Sequence, residues 1–589
     1  MTGAPSSSRP VRVLIFLLSP LLLLGAEASP AARRDAPTAA TITFQISYHG
    51  QPAPEEGLVL LECRGDQARL RTVPPGEPLA GAPREWGHAD FKGRRTLQLA
   101  EVREGRRIGV AADFAGLPDL EETEERAEIL GFPCRKATTV LRSNRLEIWY
   151  TRDTPLRGGP YLSLLVPDGL VLRVVRNGEH EITATELRPG ASTEDLWPRD
   201  EGEALDLATY RARVAAGWVT TLSVFQGERI NFEPAALDTA AMAAALRAGQ
   251  GADSTAVLRF AAGTLILRRL TLPRLDDALL FAELTTRSRG DAYDRTGSLF
   301  LIPTDRPRSF LDALAEGVDV LPAFTGRDGR RYQGITATAD YTPPLELVRF
   351  ITPFGVGHFN DQVRVEGVAW ADSAVYKMDL GGLAPLLRGP VWIGAFIGNY
   401  DAGGHELSLR LSWHPGSRVA EADRPDRSWI LPLFNTVNVL EMAGQEYGRL
   451  FGQDTLSVEF DLPEGVRDLR LRYLGTGHGG WGGGDEFNPK LNTILVDGRP
   501  VAALIPWRSD CATYRSLNPA SGNFWNGVSS SDLSRSGWCP GAAAEPVTIP
   551  LPGLAPGRHR LQVAIPQGAP EGGGFSAWNV SGVLLAERE

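Results

Sequence analysis

The sequence predicts an all-β protein: two sandwich or jelly-roll domains side by side, preceded by a further β-rich domain. Three observations carry that expectation. Short alternations of apolar and polar residues recur along the chain, as where Leu407, Leu409, Leu411 and Trp413 interleave with Ser408, Arg410 and Ser412. The 64 glycines and 43 prolines punctuate these runs, and one stretch alone has a clear helical composition. Strands do not alternate with helices, so no parallel sheet is expected.

At 589 residues the chain exceeds what a single core can serve, and two to four domains are expected. Its 71 acidic and 61 basic residues give a net charge of −10 without long runs of one sign, so nothing points to a nucleic-acid surface and no nucleic-acid partner is expected. The first residues read as an export signal. Arg9 and Arg12 precede the apolar run from Val13 to Gly25, and Ala26-Glu27-Ala28 supplies small residues around a cleavage point after Ala28. That run is too short to span a bilayer and no other stretch could, so a secreted or periplasmic mature protein is expected. In such a compartment the cysteines Cys63, Cys134, Cys511 and Cys539 can pair in three ways. The sequence-local pairing, Cys63 with Cys134 and Cys511 with Cys539, keeps each bridge inside one domain and is the expected one.

The elements follow in order. Ile42, Phe44, Ile46 and Tyr48 alternate with Thr43, Gln45 and Ser47 as a half-buried strand. Two hairpins are expected around Asp168-Gly169 and Asn177-Gly178. Residues 29–215 form the N-terminal β-rich domain, for which an accessory or shielding role is expected. Ala235 to Ala248, mostly Ala, Leu and Met, reads as a helix between Pro234 and Gly249, covering or connecting its neighbours. Strands resume at Thr264 to Leu272, Leu279 to Leu284, Leu299 to Ile302 and Val391 to Ile397. Pro415-Gly416 and the polar tract Arg418 to Arg427 mark a boundary near 418, separating a sandwich at 216–418 from one at 419–589. In the latter, strands are expected at Leu456 to Leu462, His559 to Ile565 and Val580 to Ala586, with a hairpin at Asp497-Gly498.

Two loops concentrate chemistry. One is Arg287-Ser288-Arg289-Gly290-Asp291-Ala292-Tyr293-Asp294-Arg295, which sets two aspartates, an aromatic ring and several arginines between strands. The other opens with Gly477-His478-Gly479-Gly480-Trp481 and ends in Asp485-Glu486-Phe487, expected to hold carboxylates at a loop tip. Before it, Leu469 to Tyr473 alternates as a strand leading to a sheet edge. The eight histidines are scattered without a His-x-x-x-His or similar spacing, and no Gly-x-Ser-x-Gly elbow occurs. Neither a metal site nor a cofactor is expected.

Three places together resemble the peptide:N-glycosidase F family. They are Asp291-Ala292-Tyr293-Asp294-Arg295, then Arg349-Phe350-Ile351-Thr352-Pro353-Phe354, then Gly477-His478 with Glu486, Cys511 and Arg535-Ser536-Gly537-Trp538-Cys539-Pro540-Gly541. The resemblance covers about 216–589 and implies two eight-stranded antiparallel jelly rolls with the site in the cleft between them. Residues 29–215 lie outside it, although longer members carry an extra N-terminal bowl-shaped domain. It implies an amidase that hydrolyses the asparagine side-chain amide of N-glycoproteins or N-glycopeptides. Asp294 matches the family's principal catalytic aspartate and Glu486 its second acidic residue. Arg295 and Arg535 match arginines of the cleft, and Cys511 and Cys539 match a family disulfide. The chain departs from the pattern at Ile397-Gly398-Asn399-Tyr400, which lacks the third acidic residue near Gly398 and has Tyr400 for a tryptophan. Gly484 and Asn488 also replace a cysteine pair that flanks the second acidic residue.

The chemistry needs an activated water, an oxyanion stabiliser and a proton for the leaving nitrogen. Asp294 is expected to activate the water or shuttle the proton, and Glu486 to orient the water and the first GlcNAc. Arg295 or Arg535 would hold the carbonyl oxygen. Tyr293, Trp481, Tyr400 and Trp538 offer stacking surfaces for sugar rings, Trp538 serving equally well to pack on the disulfide, and His478 borders the same loop. A monomer acting on a glycosylated polypeptide is expected. The competing expectations are a non-catalytic carbohydrate-binding protein and an endoglycosidase, since two carboxylates across a cleft also suit acetal hydrolysis.

Overall fold

In the strand Ala39–Tyr48, Ala40, Ile42, Phe44 and Ile46 are buried and the residues between them face outward, as a period of two requires. The computed structural model describes residues 37–74, 81–190, 195–234, 239–248, 256–275, 278–415, 427–437, 449–479, 484–568 and 576–588. The export signal with its cleavage point, the first residues of the expected helix at 235–238, the polar tract near 418 and Trp481 lie outside them. The described chain is mostly strand and divides into two compact units, one comprising Met1–Val73, Glu85–Leu99 and Gly109–Ala204, the other Pro74–Arg84, Ala100–Ile108 and Leu205–Glu589. Among the described residues no helix is long and apolar enough to cross a membrane.

In the first unit an antiparallel sheet orders Leu58–Arg64, Ala39–Tyr48, His180–Pro189, Leu170–Arg176, Asn144–Thr151, Phe132–Leu141 and Glu121–Ile129 as neighbours. Asn177 and Gly178 turn the expected hairpin, with φ of 55° and 74° and Arg176 paired to His180. No hairpin forms at Asp168-Gly169. The chain before it is the short 3-10 turn Leu162–Leu164, and Gly169 N donates to Val166 O at 3.1 Å to enter the next strand. The expected Cys63–Cys134 bridge is absent as well: both are buried free thiols. Cys63 lies on Leu58–Arg64 and Cys134 on Phe132–Leu141, with four strands between them in the sheet. Neighbouring strands bring Cα atoms within the about 7 Å that a disulfide needs, and Cys63 and Cys134 do not lie on neighbouring strands. Burial pushes both thiols up, that of Cys134 to about 11.

The second unit holds two jelly-roll sandwiches. Leu207–Trp218, a helix capped by Asp206 through Thr209 N at 2.9 Å, leads into it and runs across position 215. One sheet of the first sandwich orders Thr220–Ile230, His405–Pro415, Ala278–Ser288 and Ala374–Asp379. The other orders Leu258–Phe260, Leu265–Leu272, Gly389–Ile397, Thr296–Ile302 and Leu345–Ile351, and Ala543–Ala544 adds a sixth strand from the C-terminal half. Apart from the three-residue strand Leu258–Phe260 and the strand Ala543–Ala544 lent by the C-terminal half, that is eight strands. The six-stranded sheet is buried on both faces. Ile266, Leu299 and Ile393 face the four-stranded sheet, while Leu267, Phe300 and Trp392 pack with the helices Thr239–Ala248 and Phe310–Glu316.

The second sandwich pairs two four-stranded sheets, one ordering Ser428–Asn435, Ser576–Arg588, Val466–Gly479 and Val547–Pro550, the other Leu456–Leu462, Gly557–Ala564, Asn492–Val496 and Arg499–Leu504. Asp497 and Gly498 form its hairpin with φ of 51° and 76°. The strand Val466–Gly479 extends beyond the expected Tyr473, because Gly477, His478 and Gly479 pair with Trp578, Ala577 and Ser576. That part of the glycine-rich stretch is strand rather than loop.

A buried ion pair joins the two sandwiches. Glu346 accepts Arg349 Nε at 3.0 Å and Nη2 at 2.6 Å, Ser298 Oγ at 2.9 Å and Ser581 Oγ at 2.7 Å. Arg349 Nη1 reaches across to Asn579 O at 2.6 Å and Thr476 Oγ1 at 3.1 Å. Both charges are fully desolvated, and each has hydrogen-bond partners from both halves.

Candidate active site

Asp294 sits in the connection between the strands Ala278–Ser288 and Thr296–Ile302. Its neighbours hold that connection in shape. Asp291 is buried and accepts Tyr293 N at 3.0 Å, Arg295 Nε at 2.8 Å and Arg295 Nη2 at 3.2 Å, with His405 Nε2 at 3.6 Å. Burial alone would raise the Asp291 carboxyl, yet His405 and Arg295 hold it well below the usual carboxylate range. Asp291 is therefore an anion that orients Arg295. The backbone of Arg295 is fixed too, its N donating to Thr352 Oγ1 at 2.8 Å and its O accepting Thr352 N at 2.9 Å. Two residues on, Gly297 faces Phe350, and a Cβ there would come within 2.2 Å of the ring. Only glycine lets that strand lie so close. The Arg295 guanidinium lies 5.1 Å from the Tyr293 ring and 5.9 Å from the Tyr400 ring, and both rings are solvent-exposed.

Glu486 comes from the second sandwich. Asp485 before it is not at a loop tip: it is buried and accepts Trp578 Nε1 at 2.8 Å and Gly568 N at 3.0 Å, with Lys490 Nζ at 3.7 Å. Ser536 clamps the same turn, its N donating to Glu486 O at 2.9 Å and its Oγ to Asp485 O at 2.7 Å. Arg535, buried, donates through Nε to Glu486 Oε1 at 2.8 Å and through Nη1 to Ser530 O and Leu533 O, each at 2.9 Å. Its guanidinium lies 5.0 Å from the rings of both Phe487 and Trp538. The Cys511–Cys539 disulfide, Cα atoms 5.1 Å apart, closes the loop that carries Arg535.

Asp294 and Glu486 belong to one electrostatic cluster. Burial pushes both carboxyls up, and the charge of Asp294 raises Glu486 further. Arg535 acts on both in the opposite direction, and Arg295 also on Asp294. Such a pair can hold a proton near neutral pH while keeping one anion. Two oxygens able to take and give a proton, flanked by fixed arginines, suit acid–base attack by water on a polar bond.

His478 is turned inward. Its Nε2 lies 2.8 Å from Thr476 Oγ1 and its ring stacks on Trp538 at 5.4 Å. Burial, with the Arg349 charge second, pushes it down to about 3, so it is neutral. Trp538 is buried and donates Nε1 to Gly477 O at 2.8 Å, which makes it packing beside the disulfide. Tyr400 follows buried Asn399, whose Nδ2 donates to Ile397 O at 3.1 Å. The next carboxylate, Asp401, is taken up by a turn, accepting Gly403 N at 2.7 Å and Gly404 N at 3.1 Å. Among the described residues no three His, Cys, Asp or Glu side chains gather as a metal site would need.

Thr352, Ser530 and Phe487 are supports that sequence reasoning did not single out. Thr352 and Phe487 fell inside quoted motifs, but nothing in their type marked them as contacts of an arginine. The orienting role of Asp291 was legible only as its presence in the loop beside Asp294.

Comparisons with known proteins place these residues in context. Residues 221–413 match the model for Peptide-N-glycosidase F, N terminal, and 446–585 that for Peptide-N-glycosidase F, C terminal. Residues 42–212 match an N-glycanase N-terminal domain. Two solved structures of PNGF-II are similar, at 40% identity with a TM-score of 0.80 and 39% with 0.72. Both cover 94% of this chain, and the chain covers 100% and 98% of them. PNGase F from Flavobacterium meningosepticum, described as a glycosylasparaginase, aligns at 17% identity and a TM-score of 0.40, covering 63% of this chain and 96% of its own. No curated protein matches.

Proposed function

Because the chain belongs to the peptide-N-glycosidase F family, we propose that it is an exported amidase releasing whole N-linked glycans from glycoproteins or glycopeptides. The bond broken is the C–N bond between the asparagine side-chain carbonyl and the nitrogen bearing the first GlcNAc. Asp294 takes a proton from water, whose oxygen attacks the carbonyl carbon. Glu486, protonated in part, gives its proton to the departing nitrogen or holds the first sugar and the water in line. The products are aspartate in the polypeptide and a glycosylamine. Arg295 has Nε and Nη2 on Asp291, which leaves Nη1 for the carbonyl oxygen. Tyr293 and Tyr400 present their exposed rings to sugar.

The observation that carries this reading is that Asp294 of one sandwich acts on Glu486 of the other and that Arg535, hydrogen-bonded to Glu486, acts on both. We take 29–215 as an accessory module and 216–418 and 419–589 as the halves that build the site. The absence of a carboxylate at 397–400 favours a second reading, a carbohydrate-binding protein without turnover. Mass spectrometry of a treated N-glycopeptide decides between them. Conversion of the linked Asn to Asp with loss of the whole glycan supports the amidase, one GlcNAc left on Asn means an endoglycosidase, and an unchanged mass means binding alone.

A further inference from the structure

The outer face of the sheet Leu456–Leu462, Gly557–Ala564, Asn492–Val496 and Arg499–Leu504 changes character from one edge to the other. On the far strand Glu459 and Asp461 are exposed, and Glu459 pairs with Arg558 and, at 3.2 Å, with Arg560 of the next. On the near edge the outward residues from Val501 onward are apolar. From Val501 to Trp507 exposure alternates strictly, so that Val501, Ala503, Ile505 and Trp507 face solvent while Ala502 and Leu504 pack on the core. Val501, Ile505 and Trp507 are 43%, 52% and 37% exposed, and Leu491, just before the paired Asn492 and Leu504, is 45% exposed.

An apolar stripe on a sheet edge invites unwanted pairing, and proteins ordinarily break it with charge. Here the blunting residues are the exposed Arg499 and Pro500, both at the end farther from the site. The near end adjoins the backbone of Arg535. Trp507 precedes Arg508, whose N donates to Arg535 O at 2.8 Å and whose O accepts Arg535 N at 3.0 Å. Pro506 lies so near Gly537 that a Cβ there would stand 3.1 Å from it. The stripe and the arginine that binds Glu486 are thus on adjoining backbone.

We propose that this stripe is the docking surface for the polypeptide flanking the glycosylated asparagine, laid extended with alternate apolar side chains against Val501, Ile505 and Trp507. The proposal rests on the amidase reading, which requires a polypeptide on one side of the bond broken. Its chemistry fits peptide better than glycan: aliphatic side chains make no hydrogen bonds to hydroxyl-rich sugars, whereas an edge strand suits an extended chain. Seven residues from 501 to 507 span about 20 Å, enough for six residues of substrate.

The test compares two substrates carrying one glycan, a capped tripeptide and a longer glycopeptide with valine or leucine at alternate positions around the asparagine. The double variant Ile505→Ser with Trp507→Ser should lower kcat/KM at least tenfold on the long substrate, through KM, and stay within twofold of wild type on the tripeptide. Equal losses on both would mean contact with the glycan and overturn the proposal, as would no loss on the long substrate. A change confined to the elution volume of the protein would assign the stripe to self-association and overturn it too. Binding of the unglycosylated long peptide to the wild-type protein and the variant, by calorimetry, is read separately. Should neither substrate be cleaved by wild type, the amidase reading fails, while loss of this binding in the variant still supports the surface and equal binding rejects it.

Discussion

Arg535 holds Glu486 through Nε at 2.8 Å while its Nη1 is spent on two backbone carbonyls of its own loop. The arginine therefore ties the carboxylate's position to a loop that the Cys511–Cys539 disulfide closes. It also opposes the upward push of burial on Glu486 and Asp294 alike.

Asp294→Asn should reduce glycan release by about 10³-fold while the protein stays folded. Its stability should change with pH in a definite direction. The Asp294 carboxyl is raised in the folded protein, so the folded state favours its protonated form. Stability then falls as pH climbs from the ordinary carboxylate range, about 4, through the raised folded value. Replacing the carboxylate by an amide should accordingly gain about 1 kcal/mol at pH 8 and nothing at pH 4. Thermal melts of both proteins at the two pH values check this.

The acid limb of the activity profile should lie above the ordinary carboxylate range, because an ionised base is needed and burial keeps both carboxyls protonated to higher pH. Arg535→Met should move that limb further up, since the charge of the arginine also holds the base Asp294 down, and should lower kcat by about 10²-fold. A pH series of kcat with folding followed by circular dichroism measures it. A limb that stays in place would remove Arg535 from the proton balance.

Cys511→Ser with Cys539→Ser frees a loop of sequence separation 28. Entropic cost in the unfolded chain predicts a loss of about 2–4 kcal/mol, and kcat should fall as Arg535 loses its fixed loop. Changing Cys63 and Cys134 to alanine should leave sensitivity to reductant unaltered, since neither is bridged. Denaturant melts with and without reductant test both statements.

Glu346→Gln leaves Arg349 buried without its anion and should cost about 3–5 kcal/mol. Replacing the two together, Glu346→Leu with Arg349→Met, should recover most of that stability. If the pair also sets how the two sandwiches meet, kcat should remain low in the recovered double variant. Denaturant melts and single-turnover rates on one preparation separate the two effects.

Period-two alternation located those strands that bury one face, because such a strand repeats apolar residues at every second position; Leu456–Leu462 and His405–Pro415 are examples, whereas most strands between 51 and 151 went unread. Asn177-Gly178 and Asp497-Gly498 were readable as turns because their backbones need positive φ. The motifs around Asp294 and Glu486 likewise carried their residue types in plain view. Other features lay beyond a one-dimensional reading. Sheet order put Cys63 and Cys134 on strands that are not neighbours, and strand pairing with Ser576–Arg588 drew Gly477 to Gly479 out of the loop and turned His478 onto Trp538. Burial, which no local pattern states, made Asp485 a structural acid and its neighbour Glu486 a titrating one. Residue types and local backbone preference are properties of the chain as written, whereas solvent exclusion and the charges that surround a group arise only when distant segments pack together.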